Sequence, residues 1–301
     1  MARFRPNPPV DRHGVSASCT VLPDGPWPLV LDYLIERFAH VDAATWRQRL
    51  VDGDVLDDGG VRITTQTPYR PGLRLYYFRA VLQEAAIPFE EVVLYQDAHL
   101  VVVDKPHFLP VMPSGKYLQE TVLVRLRRKL GLNGLSPIHR IDRDTAGLVM
   151  FSANPATRDA YHALFRERKV GKIYQAVAPW NPGLKWPHQR TSRIGASDHF
   201  MQQCELAGAP NAITDIRPLE ISGALAKYEL KPTTGQRHQL RVHMAALGLP
   251  ILNDGIYPTL TPEGGIDHDK PLQLLAQSLE FADPVTGGSR QFRSLRELQP
   301  F

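Results

Sequence analysis

Two cysteines in 301 residues are too few for a disulfide framework, and Cys19 and Cys204 stand far apart, outside any Cys-x-x-Cys spacing. A disulfide-stapled domain and a cysteine-based zinc site are therefore excluded. No apolar run approaches the ~18 residues that a membrane-spanning helix needs. Met1-Ala2-Arg3-Phe4-Arg5-Pro6-Asn7-Pro8-Pro9 lacks the apolar core of a signal peptide, so the expected compartment is the cytoplasm. There is no internal repeat and no low-complexity tract. His238 and His243 are five apart, which does not set two ligands on one helical face, so no metal site is expected.

What is present is ordinary for a folded chain: 43% hydrophobic and 22% charged residues. The length accommodates one large domain and a small one. A net charge of +4 and a pI near 9.1 are compatible with a polyanionic partner without requiring one.

Residues 1–22, rich in Pro and Arg, read as an arm. A small domain is expected over 23–82. Its first helix carries Leu31, Leu34, Ile35 and Phe38 behind Pro28, and a second runs from Ala43 to Leu50. A Gly53-x-Val55 strand, a Gly59-Gly60 turn, a Pro71-Gly72 turn and a strand over Leu73–Arg79 follow. Gln83–Phe89 reads as a linker to a larger domain over 90–301. There, two strands flank the turn Gln96–His99, and a helix over Glu120–Leu130 is capped by Gly131. That helix carries Arg125, Arg127, Arg128 and Lys129 in a run without acids, either a solvated face or a phosphate-binding ridge. Asn154-Pro155 is expected to open another helix, and His238–Leu247 a third. Strands are expected at Phe200–Gln203, Ala212–Ile221, Ala224–Lys231 and Gln273–Phe281. Strands outnumber helices and short turns join them, which predicts an α+β domain around a central mixed, largely antiparallel sheet.

The most informative segment is Pro137-Ile138-His139-Arg140-Ile141-Asp142-Arg143-Asp144-Thr145-Ala146-Gly147, followed by the apolar run Leu148–Phe151. Arginines at 140 and 143 flank Asp142 and are expected to favour its charged form. The segment resembles the signature of the RluA-type pseudouridine synthases. Val101-Val102-Val103-Asp104-Lys105-Pro106, Lys172-Ile173-Tyr174-Gln175-Ala176, Thr234–His243 and Gly248–Asp254 resemble further motifs of that family, in the same order. The helix, helix, strand and turn order of residues 23–82 resembles the RNA-binding module named after ribosomal protein S-four, although Asp52, Asp54, Asp57 and Asp58 place acids where RNA would prefer cations.

The resemblance implies a cleft across the sheet, an RNA substrate (ribosomal, transfer or both), a monomer, and no cofactor. It implies Asp142 as the nucleophile, Arg241 as the cation that pairs with it, and Tyr174 as the residue that stacks on the target base and can assist removal of the proton. His139, Arg140 and Arg143 would shape the pocket mouth, with Arg140 the candidate to fill the gap left by an extruded base. Arg237 shares a helix face with Arg241, with His238 close by, which suggests further RNA contacts. Gln236-Arg237 stands where the family usually has Arg-Thr, and Leu275 where it often has His, so positions 236 and 275 receive no role.

Other chemistries fit less well. His-Arg-Ile-Asp resembles the His-Arg-Asp of protein-kinase catalytic loops, but the extra Ile and the missing Gly-rich and Asp-Phe-Gly elements reject it. A glycoside hydrolase would need two cooperating carboxylates. The alternative of a non-catalytic RNA-binding or ribosome-assembly factor gives no chemical reason to keep Asp142, Tyr174 and Arg241 together.

Overall fold

The computed structural model describes residues 14–78, 84–261 and 267–301. Most of the arm, Arg79 and the 82/83 boundary fall outside them. The small domain comprises β1 (Ser18–Val21), α1 (Val30–Arg37), α2 (Ala43–Val51), β2 (Val55–Asp57) and β3 (Arg74–Tyr77), with an antiparallel sheet ordered β1-β3-β2. The arm was expected to run through residue 22, but Ser18–Val21 is a strand in register with Arg74–Tyr77. Backbone pairing with β3 overrides its weak apolar pattern. Trp46 is fully buried and packs edge-on against Tyr77. Asp57, one of the four acids, accepts the Gly59 and Val61 N–H groups and so closes the turn.

The larger domain contains β4 (Val92–Gln96), β5 (Leu100–Lys105), α3 (Val122–Leu130), β6 (Ser136–Pro137), β7 (Ala146–Ser152), α4 (Arg158–Arg166), β8 (Gly171–Pro179), β9 (His188–Ala196), β10 (Gln203–Leu206), β11 (Ala212–Ser222), β12 (Leu225–Pro232), α5 (Gln239–Ala246), β13 (Leu274–Ala282) and β14 (Ser289–Arg293). Its sheet runs β10-β9-β11-β12-β8-β13-β7-β5-β4, with β14 beside β13 and β6 beside β7. Only β13 and β7 pair in parallel among the described strands. The α+β expectation holds.

The apolar runs in β5 and β7 follow from burial on both faces. Val101, Val103, Val149 and Phe151 meet Val122, Leu123 and Leu126 of α3. Leu100, Val102, Leu148 and Met150 meet Tyr161 and Leu164 of α4. Each such fully buried side chain contributes about 1.5–3 kcal/mol. Gly147 makes the parallel junction possible: a Cβ there would lie 2.2 Å from the Ala276 carbonyl oxygen, at φ +107°.

Four local expectations need correction. Asn154 caps a turn, accepting the Ala156 N–H, and α4 starts only at Arg158. The strand expected at Phe200–Gln203 is Gln203–Leu206, because Arg237 holds the Phe200 and Met201 carbonyls in the preceding loop. Strands β9 and β14 went unforeseen; both are polar and lack an apolar alternation. The cations of α3 are partly internal. Arg125 pairs with Glu91 and Glu120 and donates to the Ile87 and Phe89 carbonyls, while Arg127 reaches Gly14 and Ser16 of the arm ahead of β1. Among the described residues, no helix is long and apolar enough to cross a membrane.

Candidate active site

The segment before β7 turns sharply, its Thr145 N–H donating to the Asp142 carbonyl. Lys105, wholly buried at the end of β5, ties that turn down. Its Nζ donates to the carbonyls of Pro106, Leu109 and Arg143 at 2.8–2.9 Å, using all three N–H groups. Burial pulls its pKa down to about 7, against the opposing pull of Asp144 and Asp142.

The turn delivers Asp142 to a pocket of about 110 Å³, which also exposes Tyr174 from β8, Arg241 from α5, His238 and Lys172. Arg241 Nη1 lies 3.3 Å from Asp142 Oδ2. The expectation that these two meet, across 99 residues of sequence, is met in the geometry. Asp142 is not the main partner, however. Asp254, whose side chain is only 1% exposed, takes Arg241 Nε at 2.8 Å and Nη2 at 2.6 Å, and its Oδ1 also accepts the Ile256 and Tyr257 N–H groups. Burial works against the Arg241 charge, but the Asp254 hydrogen bonds and charge, then Asp142, hold its pKa above the ordinary value. One carboxylate thus fixes the plane of the guanidinium, and its free edge is aimed at the other.

His238 Nε2 is 3.8 Å from Asp142 Oδ1, and its Nδ1 shares a hydrogen bond with the Tyr257 hydroxyl at 2.9 Å. Burial lowers its pKa despite Asp142, which leaves a neutral imidazole at the pocket edge. Burial, then the Asp142 charge, raises the Tyr174 pKa, so its phenol keeps its proton. That favours an aromatic surface or a hydrogen-bond donor over a general base.

The remaining predicted residues divide. Arg140 is exposed on the pocket rim. Arg143 does not flank Asp142 as expected: it grips Asp144 through Nε–Oδ1 at 2.7 Å and Nη2–Oδ2 at 3.2 Å, and the arginine paired with Asp142 is Arg241. His139 stacks on Phe165 at 4.4 Å and accepts the Met150 N–H through Nε2; burial pushes its pKa down to about 3. It shapes the mouth as an uncharged wall rather than as a cation. Arg237 ties down the β9–β10 loop through the Phe200 and Met201 carbonyls.

The sequence reading gave no role to Asp254 or Lys172, although both lie in quoted motifs. An acid that follows a helix-stopping Gly-x-Pro near a motif arginine was the available signal for Asp254. Among the described residues, no three His, Cys, Asp or Glu side chains are grouped as metal ligands.

A family model described as RNA pseudouridylate synthase matches residues 99–246, which contain Asp142, Tyr174 and Arg241. An uncharacterized RNA pseudouridine synthase of Synechocystis sp. is 31% identical over 231 residues, 76% of this chain and 79% of that protein. The dual-specificity RNA pseudouridine synthase RluA of Salmonella typhi is 33% identical over 215 residues, 67% of this chain and 91% of that protein. Among solved structures, human RNA pseudouridylate synthase domain containing 1 aligns with a TM-score of 0.57 at 23% identity, over 71% of this chain and 86% of that one, a likeness of fold.

Proposed function

This chain belongs to the RluA-type RNA pseudouridine synthases, and from that premise we propose which of its residues carry the isomerisation and on what RNA. The enzyme isomerises uridine in RNA to pseudouridine. The bond between C1′ and N1 breaks, the uracil turns, C1′ bonds to C5, and the C5 proton leaves while N1 gains one. Oxidation state is unchanged overall, so the chemistry calls for no redox cofactor and no metal.

Asp142 is the nucleophile in this reading. The observation that carries it is the Asp254–Arg241–Asp142 arrangement, which aims one partly exposed carboxylate, 25% exposed, into the pocket while burying the other. A carboxylate can add to an electron-poor carbon and leave again, which suits attack on the anomeric carbon or on the base; it could equally take a ribose proton. Tyr174 supplies the face on which the uracil stacks, and its raised pKa supports that role over proton abstraction. His238 closes the pocket edge, and Arg140 stands where a cation could replace an extruded base. Arg143 and Arg237 act through the loops they hold.

The substrate is ribosomal RNA, transfer RNA or both, and the enzyme acts in the cytoplasm as a monomer. The small domain, in which Arg37 and Arg49 lie over Phe38 and Trp46, offers the RNA a second surface in this reading. Mapping pseudouridines in total RNA from cells with and without this protein tests the activity and identifies the target. Identical maps would overturn the proposed substrates.

A further inference from the structure

Next to the uridine pocket lies a chamber of about 380 Å³ that the chemistry above does not use. Lys172, Tyr174 and Arg140 line both spaces, and His139, Phe165 and Arg168 line the chamber alone. Its charge is one-sided. Arg140, Arg168 and Lys172 face it, no carboxylate lines it, and none of the three is in an ion pair among the described residues. A larger cavity that shares Arg241 with the pocket differs in this respect: there Arg143 faces Asp144, Arg241 faces Asp254 and Lys270 faces Asp267.

Two further observations mark the chamber as built for an anion. Arg168 follows α4 with φ +58°, the left-handed position that closes a helix and that ordinarily takes glycine. The Lys169 N–H closes that turn onto the Leu164 carbonyl at 2.7 Å. A side chain kept at a position that disfavours one suggests a task for the side chain. Lys172 donates to the Thr234 carbonyl at 2.7 Å, which leaves two of its N–H groups for a ligand. Burial, and then Arg168, lower its pKa to about 8, as expected of cations crowded together without an acid.

We infer that this chamber seats a phosphodiester of the RNA strand adjoining the target uridine, with Arg168 and Lys172 as its paired cations. The inference rests on the pocket's being the uridine site. A uridine turned out of its strand carries phosphates on both sides, so one must lie on the pocket rim, and this rim offers cations that no carboxylate answers. The neutral His139–Phe165 stack gives the attached sugar or base a flat wall.

The test uses the full chain and two probes, the trinucleotide UpUpU and its methylphosphonate-linked counterpart, whose backbone is uncharged. Arg168→Gln should weaken UpUpU binding by about tenfold and flatten the dependence of log K on log salt by about 0.7, the contribution of one phosphate in a single strand. It should leave the neutral analogue within about twofold, and Arg168→Lys should restore most of the loss. Lys172→Met should reproduce the phosphate-specific loss. Equal losses on both probes, unchanged affinity, or no UpUpU binding by the wild type would overturn the inference. Pseudouridine formation by the wild type in ribosomal and transfer RNA is measured separately. Activity with equal probe losses sinks the chamber alone, whereas phosphate-specific losses without activity keep an anion site there but overturn both the functional reading and the chamber's link to a target uridine.

Discussion

The uridine pocket and the chamber beside it share a wall yet handle charge in opposite ways. In the pocket, Arg241 is 2% exposed and answered by two carboxylates, with Asp254 held in turn by backbone N–H groups. In the chamber, three cations meet no acid among the described residues. A matched and buried network spends its interactions on geometry, so that Asp142 is aimed before any substrate arrives. An unmatched cluster repels itself until an anion enters, and so contributes affinity. The difference teaches that chemistry and grip are separable here, although Tyr174 and Lys172 alternate along one strand.

Asp142→Asn should separate them most completely. Turnover on a proven RNA substrate should fall below detection, while UpUpU affinity and melting temperature stay close to wild type, since the amide keeps the shape but cannot act as nucleophile. Measurable turnover would remove Asp142 from its role.

Arg241→Met should follow. It leaves Asp254 buried with no cation, and breaking such a pair lowers stability by about 3–5 kcal/mol, readable by urea denaturation, with turnover lost as well. The structure also specifies the rescue. Asp254→Asn in the Arg241→Met background should recover more stability than Asp142→Asn does, because Asp254 is the more buried carboxylate and makes the two shorter contacts. Equal rescue by both would mean that Arg241 is shared evenly.

A smaller effect distinguishes the chamber by pH. Lys172 is protonated below its pKa of about 8 and neutral above it, so UpUpU affinity should fall as pH rises beyond 8. A bound phosphate stabilises the ammonium and shifts that midpoint upward. Lys172→Met should flatten the profile; an unchanged profile would assign the titration to another group.

At neutral pH the smallest effect concerns the wall, which responds only under acid. His139 has a folded pKa of about 3, below its ordinary value of about 6.5. Between those values the unfolded chain binds the extra proton, so this contribution is present above pH 6.5 and is lost as pH falls towards 3. Denaturation midpoints of His139→Phe should decline less steeply than those of wild type over that window. Parallel slopes would show that the ring is not held neutral.

Much of this was legible before folding, for local reasons. The paired apolar runs of β5 and β7 announce a sheet covered on both faces, and Gly131 and Gly248 mark where α3 and α5 stop. Asp142, Tyr174 and Arg241 stand in motifs whose order alone links them to one site. Polar strands such as β9 left no such mark, because neighbouring strands rather than their own side chains hold them in the sheet.

What the sequence by itself determined, then, is the set of elements and the identity of the reactive groups, since propensity, capping and apolar periodicity act over a few residues. Which charge faces which was decided by the tertiary structure. Arg143 is adjacent to both Asp142 and Asp144 in sequence, yet it turns to Asp144. Arg241 lies 99 residues from Asp142 and 13 from Asp254, and it meets both. The chamber is built from two loops, a helix end and a strand, and three of these four segments bring it a cation. Coulomb energy depends on distance and burial, and both are set only when the sheet brings these segments together.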